Sequence, residues 1–291
     1  MKKIFPICFL YIFQTAYADV PLTVENIISE KGKLTAELGL TYGNNKIRNA
    51  EITGYIPVQV SDTSFVNIPT VITNQQVQNE YVVTNIGVKY GLFENLDLSL
   101  KSNFIYSSNR FLNLESIEKS QTKLDISDIS IGMNYQFIYD DIYPAIVGFF
   151  ETTAFEKSYN NLNFSNYTFG LTTYRSYDPI VLSLTTGYKH SLKRKFDKKN
   201  YFKPSDLFFL NPQVAFSAND RVSLLAGLNF KHLGDQKLNN SVIIKKINSL
   251  DYSFGMGYGL NDNSNFNLIA NIRQDFDNSS EIRLIYNRSL S

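Results

Sequence analysis

The sequence predicts an all-β protein, a transmembrane antiparallel up-and-down β-barrel of about twelve strands with a short N-terminal helical segment. Apolar and polar residues alternate through most of the chain, and short turns alternate with long loops between these segments. After the N-terminal region, no apolar run reaches the length of a membrane helix. A closed barrel crosses a bilayer without helices because closure pairs all the backbone N–H and C=O groups.

Composition excludes several other classes of protein. The chain has 291 residues, and its 28 Lys and Arg residues balance 27 Asp and Glu residues, so no nucleic-acid partner is expected. A content of 43% hydrophobic and 19% charged residues argues against disorder. Phe and Tyr are abundant, which favours strands.

The first residues resemble an export signal. Lys2 and Lys3 precede an apolar stretch over residues 4–13, and a small-x-small cleavage pattern ends at Ala18. The apolar stretch is about half the roughly 20 residues that a membrane anchor needs. We therefore predict a signal peptide over residues 1–18. Its removal would take Cys8, the only cysteine, so neither disulfides nor thiolate metal sites are expected.

Residues 19–32 form a separate N-terminal segment before a barrel over residues 33–291. Val24, Ile27 and Ile28 have helical spacing, and Gly32 is a suitable helix stop. One interpretation is a short amphipathic helix, acting as a plug in the barrel mouth or lying in the periplasm. The other is a flexible leader.

The barrel strands are predicted in order from the alternation of residues. In the first, Leu34, Leu38 and Tyr42 lie on one face, and Thr35 and Glu37 lie on the other. The segment 145–155 is apolar on both faces, so its orientation stays open. The twelve predicted segments are 34–42, 86–92, 96–106, 128–137, 145–155, 167–172, 180–185, 208–217, 222–231, 250–258, 266–273 and 282–287.

The connections alternate in length. Clusters of Asn, Asp and Pro predict tight turns near 93–95, 139–144, 177–179, 219–221 and 261–263. Longer connections are predicted at 44–79, 109–123, 158–163, 191–206, 232–246 and 274–280. Outer-membrane barrels have short periplasmic turns and long external loops, so we expect the barrel to start in the periplasm.

Aromatic residues are expected in two belts at the membrane interfaces. The outer belt comprises Tyr42, Tyr81, Phe104, Tyr106, Phe155, Tyr167, Tyr188, Phe230 and Tyr252. The periplasmic belt comprises Tyr90, Tyr135, Phe137, Tyr143, Phe216, Tyr258, Phe266 and Tyr286.

Two phrases are typical of outer-membrane strands, NIGVKYGL at residues 85–92 and FGMGYGL at residues 254–260. With the pattern of strands and turns, they make residues 33–291 resemble Gram-negative outer-membrane barrels of the small-solute transporter kind. The chain is similar to the barrels grouped with phenol-degradation MetA-pathway proteins and to functional-amyloid exporter barrels. The resemblance implies a transport role in the outer membrane. Such barrels commonly end on an aromatic residue that the assembly machinery reads; here either Tyr286 or Leu290 substitutes, or the signal is weak.

The polar face of the strands is expected to point into the lumen, where charges are tolerated if they are hydrated or paired. The backbone radius of twelve strands is roughly 13 Å, so side chains would leave a narrow channel or fill it. The charges would then line a narrow aqueous path with little net charge preference, or form ion-paired ladders. The predicted pore-lining residues are Glu37, Lys89, Lys101, Asp128, Lys189, Lys231, Asp251, Arg273 and Arg283.

No catalytic residues, metal site or cofactor is predicted. The two histidines, His190 and His232, lack the His-x-Ser spacing of barrel phospholipases, in which both residues share a strand face. A basic run near Lys193 to Lys195 either contacts lipopolysaccharide phosphates or is a solvated loop. The long first loop either extends as a hairpin above the membrane or folds inward and constricts the pore.

Our first functional hypothesis is an outer-membrane channel for passive passage of a small solute, including hydrophobic or aromatic ones. The alternative is an export conduit or assembly partner for an extracellular polypeptide such as a functional amyloid, with the N-terminal segment as a gate. A third is a structural barrel that conducts nothing. The expected partners are outer-membrane lipid and lipopolysaccharide, the assembly machinery, and the solute or secreted polypeptide.

Overall fold

The chain folds into a closed barrel of twelve antiparallel strands, which confirms the predicted fold class. The computed structural model describes residues 28–47, 54–70, 76–112, 119–157, 163–195, 198–273 and 279–290. The predicted signal peptide and most of the predicted N-terminal helix lie outside these ranges. Within them, no helix has the length and hydrophobicity to span a membrane.

The barrel strands follow the predicted segments and extend several of them toward the long loops. Their bounds are β1 Leu34–Ile47, β2 Gln76–Phe93, β3 Leu96–Leu112, β4 Lys119–Ile138, β5 Ala145–Glu156, β6 Asn166–Tyr177, β7 Ile180–Ser191, β8 Leu207–Asn219, β9 Val222–Leu233, β10 Ile247–Asn261, β11 Ser264–Arg273 and β12 Ser280–Leu290.

Every barrel strand pairs with its neighbours in sequence, and β1 pairs with β12 to close the sheet. At this seam, Leu34 lies opposite Leu290 and Asn44 lies opposite Ser280. The five predicted tight turns form one end of the barrel, here called the short-turn end. The opposite, long-loop end carries the longer connections.

The alternation of residues sets the two faces of the wall. Leu38 and Ile86 are about half exposed on the outside, whereas Glu37 and Asn85 are buried inside. In β5, whose orientation could not be predicted from the sequence, Val147 and Phe149 face into the barrel and Phe150 faces outward. The interior therefore contains apolar as well as polar side chains.

One aromatic residue departs from the predicted belts. Tyr81 was expected to face outward near the outer rim, but it is buried inside the barrel, where its hydroxyl donates to Glu281 Oε1 at 2.9 Å. The strand β2 starts earlier than predicted, at Gln76, and Tyr81 falls on its inner face with Val83 and Asn85.

The long connections form two further sheets at the long-loop end. The first loop contains a hairpin of strands Gly54–Gln59 and Phe65–Thr70, here called the lumen hairpin. Two later loops combine into a four-stranded loop sheet. Its strands are Arg194–Lys195, Tyr201–Lys203, Gln236–Leu238 and Ser241–Ile244.

The described end of the N-terminal segment lies against β2 at the short-turn end. Gly32 N donates to Gly91 O at 2.7 Å, and Gly91 N donates to Lys33 O at 3.0 Å. A Cβ atom on Gly91 would lie 2.0 Å from the Glu30 carbonyl oxygen, so this close approach requires glycine. Residues 28–32 contain no helical turn.

Candidate functional site

The lumen hairpin folds into the barrel. Of the two conformations considered for the first long loop, it therefore adopts the one that folds inward and not the one that extends above the membrane. Its apolar residues pack on the inner faces of β2 and β3, where they form one buried cluster. The cluster contains Val58, Val60, Val66 and Ile68 from the hairpin, and Tyr81, Val83 and Ile105 from the wall.

A second apolar contact joins the hairpin to the other side of the wall. The ring of Phe65 lies 4.8 Å from the ring of Phe209 on β8, which stacks at 6.3 Å on Phe149 of β5. A Cβ atom on Gly187 would lie 2.5 Å from the Phe209 ring, so the ring needs glycine beneath it. Together, the two clusters fix the hairpin between opposite parts of the wall.

Three buried cations of the wall hold the tip of the hairpin. Lys101 Nζ donates to Ser64 Oγ at 2.8 Å, and Arg283 Nη2 pairs with Asp62 Oδ1 at 3.2 Å. Lys189 Nζ donates to the carbonyl oxygen of Phe65. These cations come from β3, β12 and β7, so the tip is held from three directions.

The base of the hairpin is held by the loop sheet. Tyr55 N donates to Gln236 Oε1 at 3.1 Å, and Gln236 Nε2 donates back to Tyr55 O at 2.8 Å. The Tyr55 ring lies 5.1 Å from the ring of Phe202 and 5.7 Å from the Arg194 guanidinium. Burial, together with the nearby Glu156 carboxylate, raises the pKa of the Tyr55 phenol.

Below the hairpin tip, toward the short-turn end, lies a cavity of about 610 Å³, here called the chamber. Its roof includes Ser61 and Asp62 of the hairpin, and its floor includes turn residues 261–264 and N-terminal residues 28–30. A volume of this size is typical of pockets for small molecules.

The chamber wall has an apolar and a charged part. Val181, Ala215, Leu225 and Ile269 lie along one line of strand pairing across β7 to β11, with Gly255 between the last two. The charged part includes Glu37, Lys89, Lys101 and Glu151. An amphipathic molecule would therefore find a matching surface for each of its ends.

Above the tip, the hairpin leaves little space. A cavity of about 10 Å³, the upper crevice, lies between Ile56 and the wall of β10 to β12. This is about the space for one water molecule. Among the described residues, the lumen hairpin therefore lies between the chamber and the long-loop end.

The wall from β8 through β12 to β1 carries many buried polar atoms that lack a hydrogen-bond partner among the described residues. Buried polar atoms usually bond to protein or ordered water, so this wall is a polar part of the barrel interior. The residues on this wall are Thr41, Asn211, Asn229, Ser249, Asn267, Ser279, Glu281 and Arg283.

Of the nine predicted pore-lining residues, Glu37, Lys89 and Lys101 line the chamber. Three others form an ion-paired group near the upper crevice: Lys231 Nζ and Arg273 Nε pair with Asp251 at 2.9 and 3.1 Å. Asp128 is buried on β4 and accepts from Asn103 Nδ2 at 2.6 Å. The two remaining residues, Lys189 and Arg283, contact the hairpin tip.

Sequence reasoning missed the partners that the loop brings, namely Asp62 and Ser64, and the wall residues Leu225, Ile269 and Ile285. These wall residues could have been found as apolar residues on the strand faces that were predicted to be polar and to point into the lumen. Leu225, for example, is buried between Ser223 and Gly227 on the inner face of β9.

The histidines and the basic run do not join the chamber. His190 Nδ1 lies 3.1 Å from Asp206 Oδ1, and Ser191 is buried on the other face of β7. In the basic run, Arg194 is buried against Glu156, which corrects the expectation of an exposed basic loop at that residue. Lys193 Nζ instead contacts Asn240 Oδ1 at 3.0 Å.

Comparison with solved structures places the fold among outer-membrane barrels. An outer membrane channel from Pseudomonas putida F1 superposes with a TM-score of 0.61 at 8% identity, covering 91% of this chain and 98% of that chain. The translocator domain of the autotransporter NalP from Neisseria meningitidis gives 0.55 at 10% identity, covering 91% of each chain. The NanC porin gives 0.50 at 11% identity, covering 87% of this chain and all of that chain.

These identities are low, so the likeness is one of fold, and at that level it confirms the predicted resemblance to outer-membrane barrels. No protein-family model matches the sequence. No curated protein matches it either.

Proposed function

We propose that this protein is an outer-membrane channel through which a small solute crosses passively, with the lumen hairpin as its gate. The observation that carries the proposal is the chamber of about 610 Å³ beneath an inserted loop. A barrel filled by side-chain ladders would leave no such space. In this orientation, the short-turn end faces the periplasm and the long-loop end faces the medium.

The outer-membrane location is supported by the lipid-compatible exterior and by the shared fold. Tyr90 and Tyr258, near the short-turn end, and Tyr42 and Tyr106, toward the long-loop end, are exposed on the outer surface. The solved outer membrane channel from Pseudomonas putida F1 and the NanC porin have a similar fold, which favours a channel over a structural barrel.

Planar-bilayer recordings test the proposal. The wild-type protein should conduct rarely, and a variant with residues 54–70 replaced by a Gly-Ser linker should conduct about tenfold more or better, because the lumen loses its plug. The matched control replaces residues 113–118 of the second loop with a linker of the same length. Silence of both the wild type and the hairpin variant would contradict a channel and favour a structural barrel.

The alternative function, export of a polypeptide, is favoured by one observation. Ile28 packs inside the barrel against the buried cluster of Val147, Val181 and Ala215, and Ser29 N donates to Asp97 Oδ2 at 3.1 Å. Residues 28 and 29 thus lie inside the short-turn end of the lumen. Conductance that rises only after deletion of residues 21–32, and not after hairpin replacement, would support this alternative.

We also propose lipopolysaccharide as a partner of the loop sheet. Lys193 and Lys195 flank the Tyr201 ring, with their Nζ atoms 5.1 and 5.9 Å from its centroid, at the end of the barrel that would face the medium. Replacing both lysines with Gln should weaken retention of lipopolysaccharide on the purified protein. Unchanged retention would contradict this partner.

A further inference from the structure

Two of the cations that hold the hairpin tip, Lys189 and Arg283, have no ion pair with a wall carboxylate among the described residues, whereas the third, Lys101, pairs with Glu151 at 3.4 Å. Lys231 and Arg273 pair with a wall carboxylate, Asp251. Arg283 instead has its ion pair with Asp62, which the hairpin brings in, and Asp62 itself is half exposed. Lys189 has no carboxylate within ion-pair distance among the described residues, and it contacts a hairpin carbonyl.

All three tip-holding cations are almost fully buried. Lys101 is 7% exposed, and Lys189 and Arg283 are each 2% exposed. Two nitrogens of Arg283, Nε and Nη1, also have no hydrogen-bond partner among the described residues. A buried guanidinium with spare donors is costly unless an acceptor meets it.

These contacts have a consequence for the open channel. When the hairpin leaves the lumen, Arg283 loses its carboxylate, Lys189 loses its carbonyl, and Lys101 loses the Ser64 hydroxyl while keeping Glu151 at 3.4 Å. An oxyanion restores such contacts better than a neutral group or a cation does, because charge-assisted hydrogen bonds are the stronger ones.

The chamber adds an apolar surface to the cationic one formed by the three buried cations. Asp62 is part of its roof, and Ile285, which follows Arg283 on the inner face of β12, is part of its wall. The apolar line of Val181, Leu225 and Ile269 continues from there around the lumen. A molecule whose anionic group reaches Arg283 would therefore rest its apolar part on this line.

We propose that the solute is a small amphipathic anion, an oxyanion on an apolar body, and that the Asp62 carboxylate occupies its anion subsite in the closed state. This inference rests on the proposed channel function and names the class of its cargo. The solute then competes with Asp62 for Arg283, so that binding favours displacement of the hairpin tip. The open channel is selective for anions.

Binding measurements on the purified full-length protein test this assignment. Isothermal titration compares phenylbutyrate with two probes of similar shape, neutral phenylbutyramide and cationic phenylbutylamine. We expect the carboxylate to bind about tenfold more tightly than the amide, and the amine to bind least. Equal binding of carboxylate and amide, stronger binding of the amine, or no binding of any probe would overturn the assignment. A phenylalkyl phosphate that binds more tightly than phenylbutyrate would support the assignment and identify phosphate as the preferred oxyanion.

Two substitutions and a control locate the subsite. Asp62→Asn removes the competing carboxylate at a half-exposed position, so phenylbutyrate affinity should rise about threefold or more. Arg283→Gln should lower it about tenfold. The control is Arg175→Gln, because Arg175 also pairs with an aspartate, Asp140 at 2.9 Å, but lies at a short turn. An affinity that falls in Asp62→Asn, or that falls equally in both arginine variants, would overturn the subsite.

The same preparations separate failure of this inference from failure of the channel. The reversal potential of the hairpin-replaced form in a salt gradient reports its selectivity. Conductance with anion selectivity supports both proposals, whereas conductance that is cation-selective or unselective overturns the anion assignment alone. A hairpin-replaced form that does not conduct overturns the channel itself.

Discussion

The two halves of the barrel interior differ in what they face. From β2 to β8, the wall meets the lumen hairpin with Val83, Ile105, Phe149 and Phe209, which are buried against it. From β9 through β12 to β1, the inner wall is polar at the level of the hairpin, with Thr41, Asn229, Ser249 and Asn271 among its buried residues. The apolar side chains at this level of the inner wall thus lie where the lumen hairpin packs on it.

The largest effect is expected from a charge placed in the packed half. Val66→Asp would bury a carboxylate in an apolar cluster, which costs about 3 kcal/mol or more and shifts the hairpin roughly a hundredfold toward its undocked state. Bilayer recordings should show frequent openings, and the hairpin should become sensitive to protease. Val242→Asp, at an exposed loop position, is the control. A closed, protease-resistant Val66→Asp protein would refute the packing described for this half.

A smaller effect is expected from loss of one aromatic contact. Phe209→Ala removes the ring that packs on Phe65, at a cost of about 3 kcal/mol in a rigid core and less beside a hairpin that can relax. Open probability should rise roughly tenfold. The matched control is Phe208→Ala, since Phe208 is the adjacent residue on the outer face. Equal changes in the two variants would show that the inner face of β8 does not hold the hairpin.

The polar half is tested in the hairpin-replaced channel. Asn229 Nδ2 donates to Asn271 Oδ1 at 3.0 Å, so Asn271→Leu places an apolar group beside Asn229. This change should lower conductance about twofold, because an apolar side chain makes the wall less favourable for water and ions. Ile272→Leu, on the outer face, should leave conductance unchanged. An increase in conductance on Asn271→Leu would argue that ions do not follow this wall.

The smallest effect is expected at the short-turn end. Asp97→Asn removes the charge and leaves one amide oxygen, which accepts from either Ser29 N or Asn134 Nδ2, because the amide nitrogen that replaces the other carboxylate oxygen is a donor. Wild-type conductance should change by less than about twofold, since in the proposed channel the hairpin and not this segment closes the lumen. A large rise would favour the N-terminal segment as the gate and support the export alternative.

The barrel could be predicted from sequence because the alternation of apolar and polar residues in most strands shows which side chains face outward and which face the lumen. All twelve strands lie where alternation placed them, and the five turns follow from Asn, Asp and Pro. The segment in β5 was ambiguous for a physical reason. Its inner residues Val147 and Phe149 belong to buried apolar clusters with Ile28 and Phe209, so both faces of the strand are apolar. Alternation of apolar and polar residues is therefore absent there and cannot show which face points inward.

The site was less predictable because its key contacts join residues far apart in the chain. Lys101 and Arg283 could be assigned to the inner face of their strands, but their hairpin partners Ser64 and Asp62 depend on how a long loop folds. Tyr81 was assigned to the wrong face because the predicted strand began after it. The inner-face residues Val83 and Ile105 were the available sign that a loop enters the lumen.

The seam between β1 and β12 has a consequence for biogenesis. Leu34 on β1 can pair with Leu290 on β12 only after β12 has been synthesised and exported, because this pairing joins the two ends of the barrel. Until then the sheet keeps two unprotected edges, which invite pairing with other chains. Contacts this distant in sequence also form slowly. Truncation within β12 should therefore leave both edges unpaired and divert the protein to aggregation.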